Sequence, residues 1–86
     1  HKSKNMVIIE GEEYTLTTKE YDLLEYLYKF KGNVISKYDI LNEIWYGNMN
    51  MSEKIVEVTI LHLRKKLGKH SFLVKSYRNR GYCFEE

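Results

Sequence analysis

Residues 6–16 have the hydrophobic pattern of two short strands on either side of a turn. Residues 6–9 are apolar, Glu10 and Gly11 form a turn signal, and Tyr14 and Leu16 are separated by one polar residue. An apolar, largely β-branched run before a turn signal and an alternating segment after it are typical of a β-hairpin. The pattern therefore predicts a short antiparallel hairpin in this part of the chain.

The hydrophobic spacing then changes to three and four residues, which is the period of an amphipathic helix. Thr17 and Glu20 have the spacing of a capping box, in which each side chain accepts a hydrogen bond from the other residue's backbone amide. A first helix is predicted over residues 18–31, with Gly32-Asn33 ending it. Its predicted apolar face consists of Tyr21, Leu24, Leu27 and Tyr28.

A second helix is predicted over residues 37–46, because Ser36 and Asp39 repeat the capping spacing. Its predicted apolar stripe consists of Ile40, Leu41, Ile44 and Trp45. The next residues are rich in Gly and Asn, which is typical of a loop. This loop comprises Gly47, Asn48, Met49, Asn50 and Met51. Asn50 and Ser52 are both suitable caps for the helix that follows, and the sequence leaves the choice between them open.

The third predicted helix, residues 53–67, has the clearest division into two faces. Its apolar face repeats at steps of four, three and four residues, and Gly68 ends it. That face consists of Val56, Ile60, Leu63 and Leu67. At about 100° per residue, the opposite face presents Lys54, Val58, Leu61, His62 and Lys65, with Glu57, Arg64 and Lys66 on the flanks. Residues 68–71 are predicted as a loop. Two strands, residues 72–77 and 82–85, are then predicted around Arg78-Asn79-Arg80-Gly81.

This element order predicts an α+β winged helix-turn-helix, with a short N-terminal antiparallel hairpin, three helices and a C-terminal β-hairpin wing. The 86 residues suffice for one domain but not for a deep cleft between two lobes. No acid–base pair, activated nucleophile or metal-ligand spacing is visible, and one cysteine cannot form an internal disulfide. We expect neither enzymatic activity nor a cofactor, and we expect a cytoplasmic location, since no apolar run is long enough for a membrane span.

Positive charge is concentrated in residues 54–82, which carry eight basic side chains and one acidic side chain, a net charge of +7. The whole chain carries only +2, so the asymmetry indicates an anionic partner for this region. Val58 and Leu61 are apolar on the outward face of the third helix. They suit contact with thymine methyls, packing on the first strands, or contact with a partner protein. His62 is either a donor to DNA or an inert exposed histidine.

Several segments together resemble one protein family. They are the run LTTKEYDLLEYL, the pairs Ile35-Ser36 and Ile44-Trp45, the segments Val56-Glu57-Val58 and Leu63-Arg64-Lys65-Lys66-Leu67, and the closing Arg78-x-x-Gly81-Tyr82-x-Phe84. In this order they resemble the OmpR/PhoB-type effector domains of response regulators. The resemblance covers roughly residues 7–85.

The resemblance implies sequence-specific binding to double-stranded DNA and regulation of transcription within a two-component phosphorelay. It implies that the third helix enters the major groove and the wing the minor groove, that two domains bind direct repeats head to tail, and that the isolated domain is a monomer. A receiver domain, absent from this chain, would complete the protein. The loop at residues 47–51 would contact RNA polymerase; the alternative is that it packs Met51 under the third helix. By the same resemblance Lys54 meets phosphate, Thr59, Leu61, His62 and Arg64 lie in or beside the groove, and Ser76 and Arg78 serve the wing.

Together with the charge pattern, the predicted DNA contacts are Lys54, Val58, Thr59, Leu61, His62, Arg64, Lys65, Ser76, Arg78 and Arg80. Because Arg64 lies on a flank of its helix, pairing with a carboxylate is the alternative role for it. The alternative function is a winged-helix module that grips a protein through Val58, Leu61 and the methionine loop, without reading DNA.

Overall fold

The computed structural model describes residues 5–47 and 50–86, and its element order is the predicted one. The elements are β1 (Met6–Ile9), β2 (Glu12–Thr15), α1 (Thr18–Lys29), α2 (Lys37–Ile44), α3 (Lys54–Leu67), a 3₁₀ helix (Gly68–Leu73), β3 (Val74–Tyr77) and β4 (Gly81–Phe84). The predicted winged helix-turn-helix is confirmed. Across these two ranges, no helix combines the length and apolar character needed to cross a membrane.

Helix α1 begins where the sequence predicted but ends earlier. The capping box is present: the Glu20 carboxylate accepts from the Thr17 amide at 2.9 Å, and the Thr17 hydroxyl accepts from the Glu20 amide at 3.2 Å. The helix ends at Lys29, two residues before the predicted end. The predicted apolar face omitted Leu23, which is fully buried, and included Tyr28, which is half-exposed. The face that packs is therefore wider than the one predicted.

The capping signals in the sequence predicted the start of α2 but not its end or the N-cap of α3. The Ser36 hydroxyl accepts from the Asp39 amide at 3.0 Å, as predicted, but α2 ends at Ile44 and leaves Trp45 as its buried C-cap. The N-cap of α3 is Glu53, whose side chain makes no capping hydrogen bond. Both predicted caps, Asn50 and Ser52, are therefore wrong as N-cap residues. The Ser52 hydroxyl instead accepts from the Lys54 amide at 3.3 Å.

The core lies where the three helices meet, with the strands closing two of its sides. All four predicted core residues of α3 have at most 1% of their surface exposed. Other fully buried or nearly buried core residues are Leu16, Leu23, Leu24, Leu27, Ile40, Ile44, Trp45, Leu73, Val74 and Phe84. Burial of this set makes α3 the central element, and its outer side remains free for other contacts.

The segment between α3 and β3 corrects two predictions. Residues 68–71 were predicted as a loop and residues 72–73 as strand, but all six form the 3₁₀ helix. This turn buries His70, whose Nε2–H donates to the Glu10 carboxylate at 3.0 Å and whose Nδ1 lies 2.6 Å from the Tyr14 hydroxyl. The turn thereby ties the N-terminal hairpin to the end of α3.

A backbone bridge beside the turn of the wing joins it to the segment before α2. Strands β3 and β4 pair antiparallel, with Ser76 opposite Tyr82. An isolated bridge then links Tyr82 to Ile35: the Ile35 amide donates to the Tyr82 carbonyl at 2.8 Å, and the Tyr82 amide donates to the Ile35 carbonyl at 3.0 Å. Since Ile35 immediately precedes the N-cap of α2, this bridge fixes the wing beside the start of α2.

Candidate nucleic-acid interface

The outward side of α3 presents a mixed basic and apolar surface. Lys54, His62 and Lys65 are exposed, Leu61 is 53% exposed and Val58 is partly exposed. All five lie where the helical period predicted them, opposite the buried stripe. A face with charged groups around two apolar side chains can meet both the charged and the apolar parts of a nucleic-acid groove.

Thr59 is misplaced in the set of predicted contacts. It is only 8% exposed, and its hydroxyl donates to the Ile55 carbonyl at 2.7 Å. The reason is geometric: at 100° per residue, position 59 falls beside the buried positions 56, 60 and 63. Thr59 thus belongs to the packed side of α3, which corrects the prediction that it contacts DNA.

Arg64 connects α3 to the wing. Its Nε and Nη2 donate to the Val74 carbonyl at 2.9 and 2.7 Å, and Nη2 also donates to the Ser76 hydroxyl at 2.7 Å. The guanidinium lies 5.8 Å from the centre of the Tyr82 ring. Neither predicted partner of Arg64, a carboxylate or DNA, accounts for these donors. Because a guanidinium can hold two acceptors in a fixed plane, Arg64 sets the position of β3 relative to α3.

Two arginines stand at the tip of the wing. Arg78, Asn79 and Arg80 are exposed, and Asn79 has a φ of 62°, a left-handed conformation that asparagine tolerates in tight turns. The Arg80 guanidinium lies 5.8 Å from the centre of the Tyr77 ring. Tyr77 in turn donates its hydroxyl to the Glu85 carboxylate, which raises the pKa of that phenol. The Tyr77 ring, held by its hydrogen bond to Glu85, thus gives the Arg80 guanidinium a packing surface.

Lys37, at the first position of α2, is a candidate that the sequence analysis missed. Its ammonium donates to the Glu57 carboxylate at 2.9 Å, and Lys54 lies 3.8 Å from the other oxygen of the same carboxylate. The hydrogen bond raises the pKa of Lys37 and lowers that of Glu57. A signal existed in the sequence, because the first helix of a helix-turn-helix crosses the DNA backbone and its start is therefore a place for a cation.

A recess lies between the start of α2, the start of α3 and the wing. Its walls carry the cations of Lys37, Arg78 and Arg80, with one carboxylate, Glu53. The remaining lining residues are Ser36, Tyr38, Ser76, Tyr77, Asn79, Gly81 and Tyr82. The structure thus brings cationic side chains of α2 and the wing, together with the acidic N-cap of α3, to a common concave surface.

Besides Arg64, three of the eight basic residues in 54–82 are engaged in contacts within the domain. Lys66 pairs with buried Glu20 at 3.0 Å, Lys69 pairs with Glu12 at 2.6 Å, and Lys75 donates to the Phe72 carbonyl at 2.9 Å. Glu20 belongs to α1 and Glu12 to β2, and neither element is part of the proposed interface. The predicted convergence of charge therefore holds for part of the segment, and Lys37 from α2 adds to it.

Only part of the predicted polymerase-contacting loop can be placed. Gly47 and Asn50 are exposed and Met51 is 37% exposed, whereas Asn48 and Met49 lie outside the described residues. The role of the loop stays a prediction.

Comparison with known proteins identifies the domain. The sequence pattern of the family described as "Transcriptional regulatory protein, C terminal" matches residues 11–84. The chain belongs to this family. It is the family of OmpR/PhoB-type domains, so the resemblance that the sequence motifs indicated is confirmed.

Relatives of this transcriptional regulatory domain include longer proteins and solved domains. Response regulator ArlR of Staphylococcus aureus is 35% identical over 83 residues, which cover 94% of this chain and 38% of ArlR. The DNA-binding domain of Bacillus subtilis CssR is 30% identical, with a TM-score of 0.79 and coverage of 92% of this chain and 89% of that one. The DNA-binding domain of Klebsiella pneumoniae RstA, solved in complex with the RstA box, is 29% identical, with a TM-score of 0.79 and coverage of 93% and 82%.

Proposed function

We propose that this domain binds double-stranded DNA sequence-specifically and thereby regulates transcription. The observation that carries the proposal is the arrangement of three elements around one surface. Lys37 at the start of α2 and the two wing arginines line the recess. Lys54 of α3 shares the Glu57 carboxylate with Lys37, and Lys65 is exposed on the outward face of α3, whose opposite side is packed in the core. Membership of the family and the RstA complex support the same function.

The major groove is the expected site for α3. The helix has 14 residues, which at 1.5 Å per residue is about 21 Å, and the groove of B-form DNA is about 12 Å wide and admits a helix. Arg64 and the Ile35–Tyr82 bridge hold the wing at a fixed distance from α3, so the wing would reach an adjacent minor groove in a fixed register. Arg78 and Arg80 would meet the phosphates or the narrow groove there.

Base reading would depend on the middle of α3. Leu61 and Val58 are apolar and can contact thymine methyl groups, whereas His62 can donate to a base or a phosphate. With neither arginine nor lysine at positions 58, 61 and 62, the middle of α3 has no bidentate partner for guanine. The preferred sequence is therefore expected to be richer in A·T pairs than sites read by arginine.

The rest of the protein and its partners are part of the same proposal. The chain spans 38% of ArlR, a response regulator, which supports a receiver domain elsewhere in the full-length protein. Two domains would bind direct repeats head to tail, and the loop around Met51 would contact RNA polymerase. The domain would act by binding and by recruitment, with no chemistry of its own.

Selection from randomised duplex DNA, followed by a salt titration, tests the proposal. Each basic group that neutralises a phosphate contributes about −0.9 to the slope of log K against log[salt]. Five cations lie in the proposed interface: Lys37, Lys54, Lys65, Arg78 and Arg80. The slope should therefore be no steeper than about −4.5.

Two variants with the same loss of charge make the test specific. Arg78→Ala should weaken binding and change the preference at an A·T-rich flank, whereas Lys29→Ala on α1 should leave both unchanged. Failure to enrich any duplex, or a slope near zero, would refute DNA reading and favour the protein-interaction module.

A further inference from the structure

Besides Glu53 in the recess, a second carboxylate, Glu57 of α3, lies among the cations of the proposed interface. Glu57 is the only acidic residue in residues 54–82. Its two oxygens face two different ammonium groups, Lys37 at 2.9 Å and Lys54 at 3.8 Å. The side chains of Glu57, Lys37 and Lys54 are 41%, 36% and 76% exposed. All three are therefore open to solvent, and to a ligand.

We infer that Glu57 is a selectivity residue that weakens binding to non-specific DNA more than binding to the preferred sequence. The inference rests on the proposed function. Lys37 and Lys54 would each be a phosphate contact, but the carboxylate between them cancels one of their two charges. A phosphate that approaches this end of α3 must compete with Glu57 for the ammonium groups and is repelled by it.

The effect differs between the two kinds of complex because their registers differ. Non-specific binding comes almost entirely from phosphate charge, and the protein slides through many registers. In most of these registers, no phosphate lies where it could replace Glu57 as the partner of Lys37 or Lys54. In the specific complex, base contacts and the wing fix the register, so a phosphate can stay beside Lys37 or Lys54 and offset the lost ion pair.

A purely structural role for Glu57 is the competing explanation, since the Lys37 contact also joins α2 to α3. Buried apolar side chains already make that connection: Ile40 and Ile44 of α2 belong to the same core cluster as Val56 and Ile60 of α3. An exposed ion pair adds little to such packing. Removal of the carboxylate should therefore change the charge of the surface and leave the fold intact.

The size of the effect follows from the charges. Lys37, Lys54 and Glu57 together carry +1, and Glu57→Gln makes this +2. One additional neutralised phosphate steepens the salt slope by about 0.9, from about −3.6 for the wild-type chain to about −4.5. At 0.15 M salt this corresponds to roughly fivefold tighter non-specific binding, if the added contact is counterion release alone.

The experiment compares two duplexes with the 86-residue chain and its variants. One duplex is a 20-base-pair sequence selected from random DNA by the wild-type chain, and the other is a shuffled sequence of the same composition. Glu13→Gln, which removes one exposed carboxylate on β2, is the matched control. We expect Glu57→Gln to tighten binding to the shuffled duplex about fivefold and to the selected duplex clearly less. Glu13→Gln should change neither by as much as twofold.

A double variant separates charge from structure. Lys37→Gln combined with Glu57→Gln restores the local charge to +1, so the salt slope should return to the wild-type value. Equal weakening of both duplexes by Glu57→Gln, equal tightening of both, or an effect no larger than that of Glu13→Gln would each overturn the inference while leaving DNA binding intact. If the wild-type chain binds neither duplex, the proposed function fails first, and the selectivity role fails with it.

Discussion

Replacement of Gly81 by alanine tests the point at which the wing is attached. Gly81 has a φ of 137°, which residues other than glycine rarely adopt. A Cβ at this position would lie 2.0 Å from the Ile35 carbonyl oxygen and 2.9 Å from the Ser36 Cα. Both are backbone atoms, so a rotamer change cannot relieve the clash, and β4 must move away from Ile35.

The cost can be worked from the contacts that would be lost. Movement of β4 breaks the two hydrogen bonds between Ile35 and Tyr82, each worth about 1 kcal/mol. The backbone conformation adds about 1–3 kcal/mol. The expected loss is therefore about 3–5 kcal/mol, a large part of the roughly 4–13 kcal/mol expected for a domain of 86 residues.

Urea unfolding of the wild-type chain, Gly81→Ala and Gly11→Ala measures this loss. Gly11 is the matched control, because it also has a positive φ, 83°, but an added Cβ there would meet nothing within 4 Å. Gly11→Ala should cost about 1–2 kcal/mol. At temperatures where Gly81→Ala stays folded, its DNA affinity should fall more than that of Gly11→Ala. Equal destabilisation by the two substitutions would show that the bridge to Ile35 does not hold the wing.

Two further predictions concern the charged side chains of Arg64 and Glu20. Arg64→Lys keeps the charge but loses the paired bonds to Val74 and Ser76. It should lower the free energy of unfolding in urea by about 1–2 kcal/mol, and it should weaken DNA binding in a fluorescence titration without changing the salt slope. Unchanged affinity would instead indicate that Arg64 contacts a phosphate directly. Burial opposes ionisation of Glu20, but the Thr17 amide and Lys66 outweigh it and hold the pKa of Glu20 below its usual value of 4.5. A lowered folded-state pKa stabilises the fold above the unfolded-state value and loses that effect as the pH falls through the folded-state value. Glu20→Gln should therefore cost about 1–3 kcal/mol at pH 7, and this difference in unfolding free energy should shrink as the pH falls below about 4.5; a difference that stays constant down to pH 3 would contradict the ion pair.

The sequence could predict what depends on neighbours along the chain. The capping residues Thr17 and Ser36 act on amides three residues away, and the buried stripe of α3 repeats with the period of its own helix. These signals fixed the element order, the starts of α1 and α2, and the outward face that carries Lys54 and Leu61. The family motifs added the fold and the expected function. Helix ends were less well determined, because termination of α1 and α2 depends on packing as well as on local propensity.

The tertiary structure decided what depends on residues far apart in the chain. Arg64 lies ten residues from Val74, Lys37 twenty from Glu57, and His70 sixty from Glu10. A flank position on a helix has no partner until another element packs beside it, so periodicity could not tell a DNA contact from a brace at position 64. For the same reason the pattern of charges gave the sign of the surface, whereas only the packing of α2, α3 and the wing decided which cations face a ligand and which are already paired.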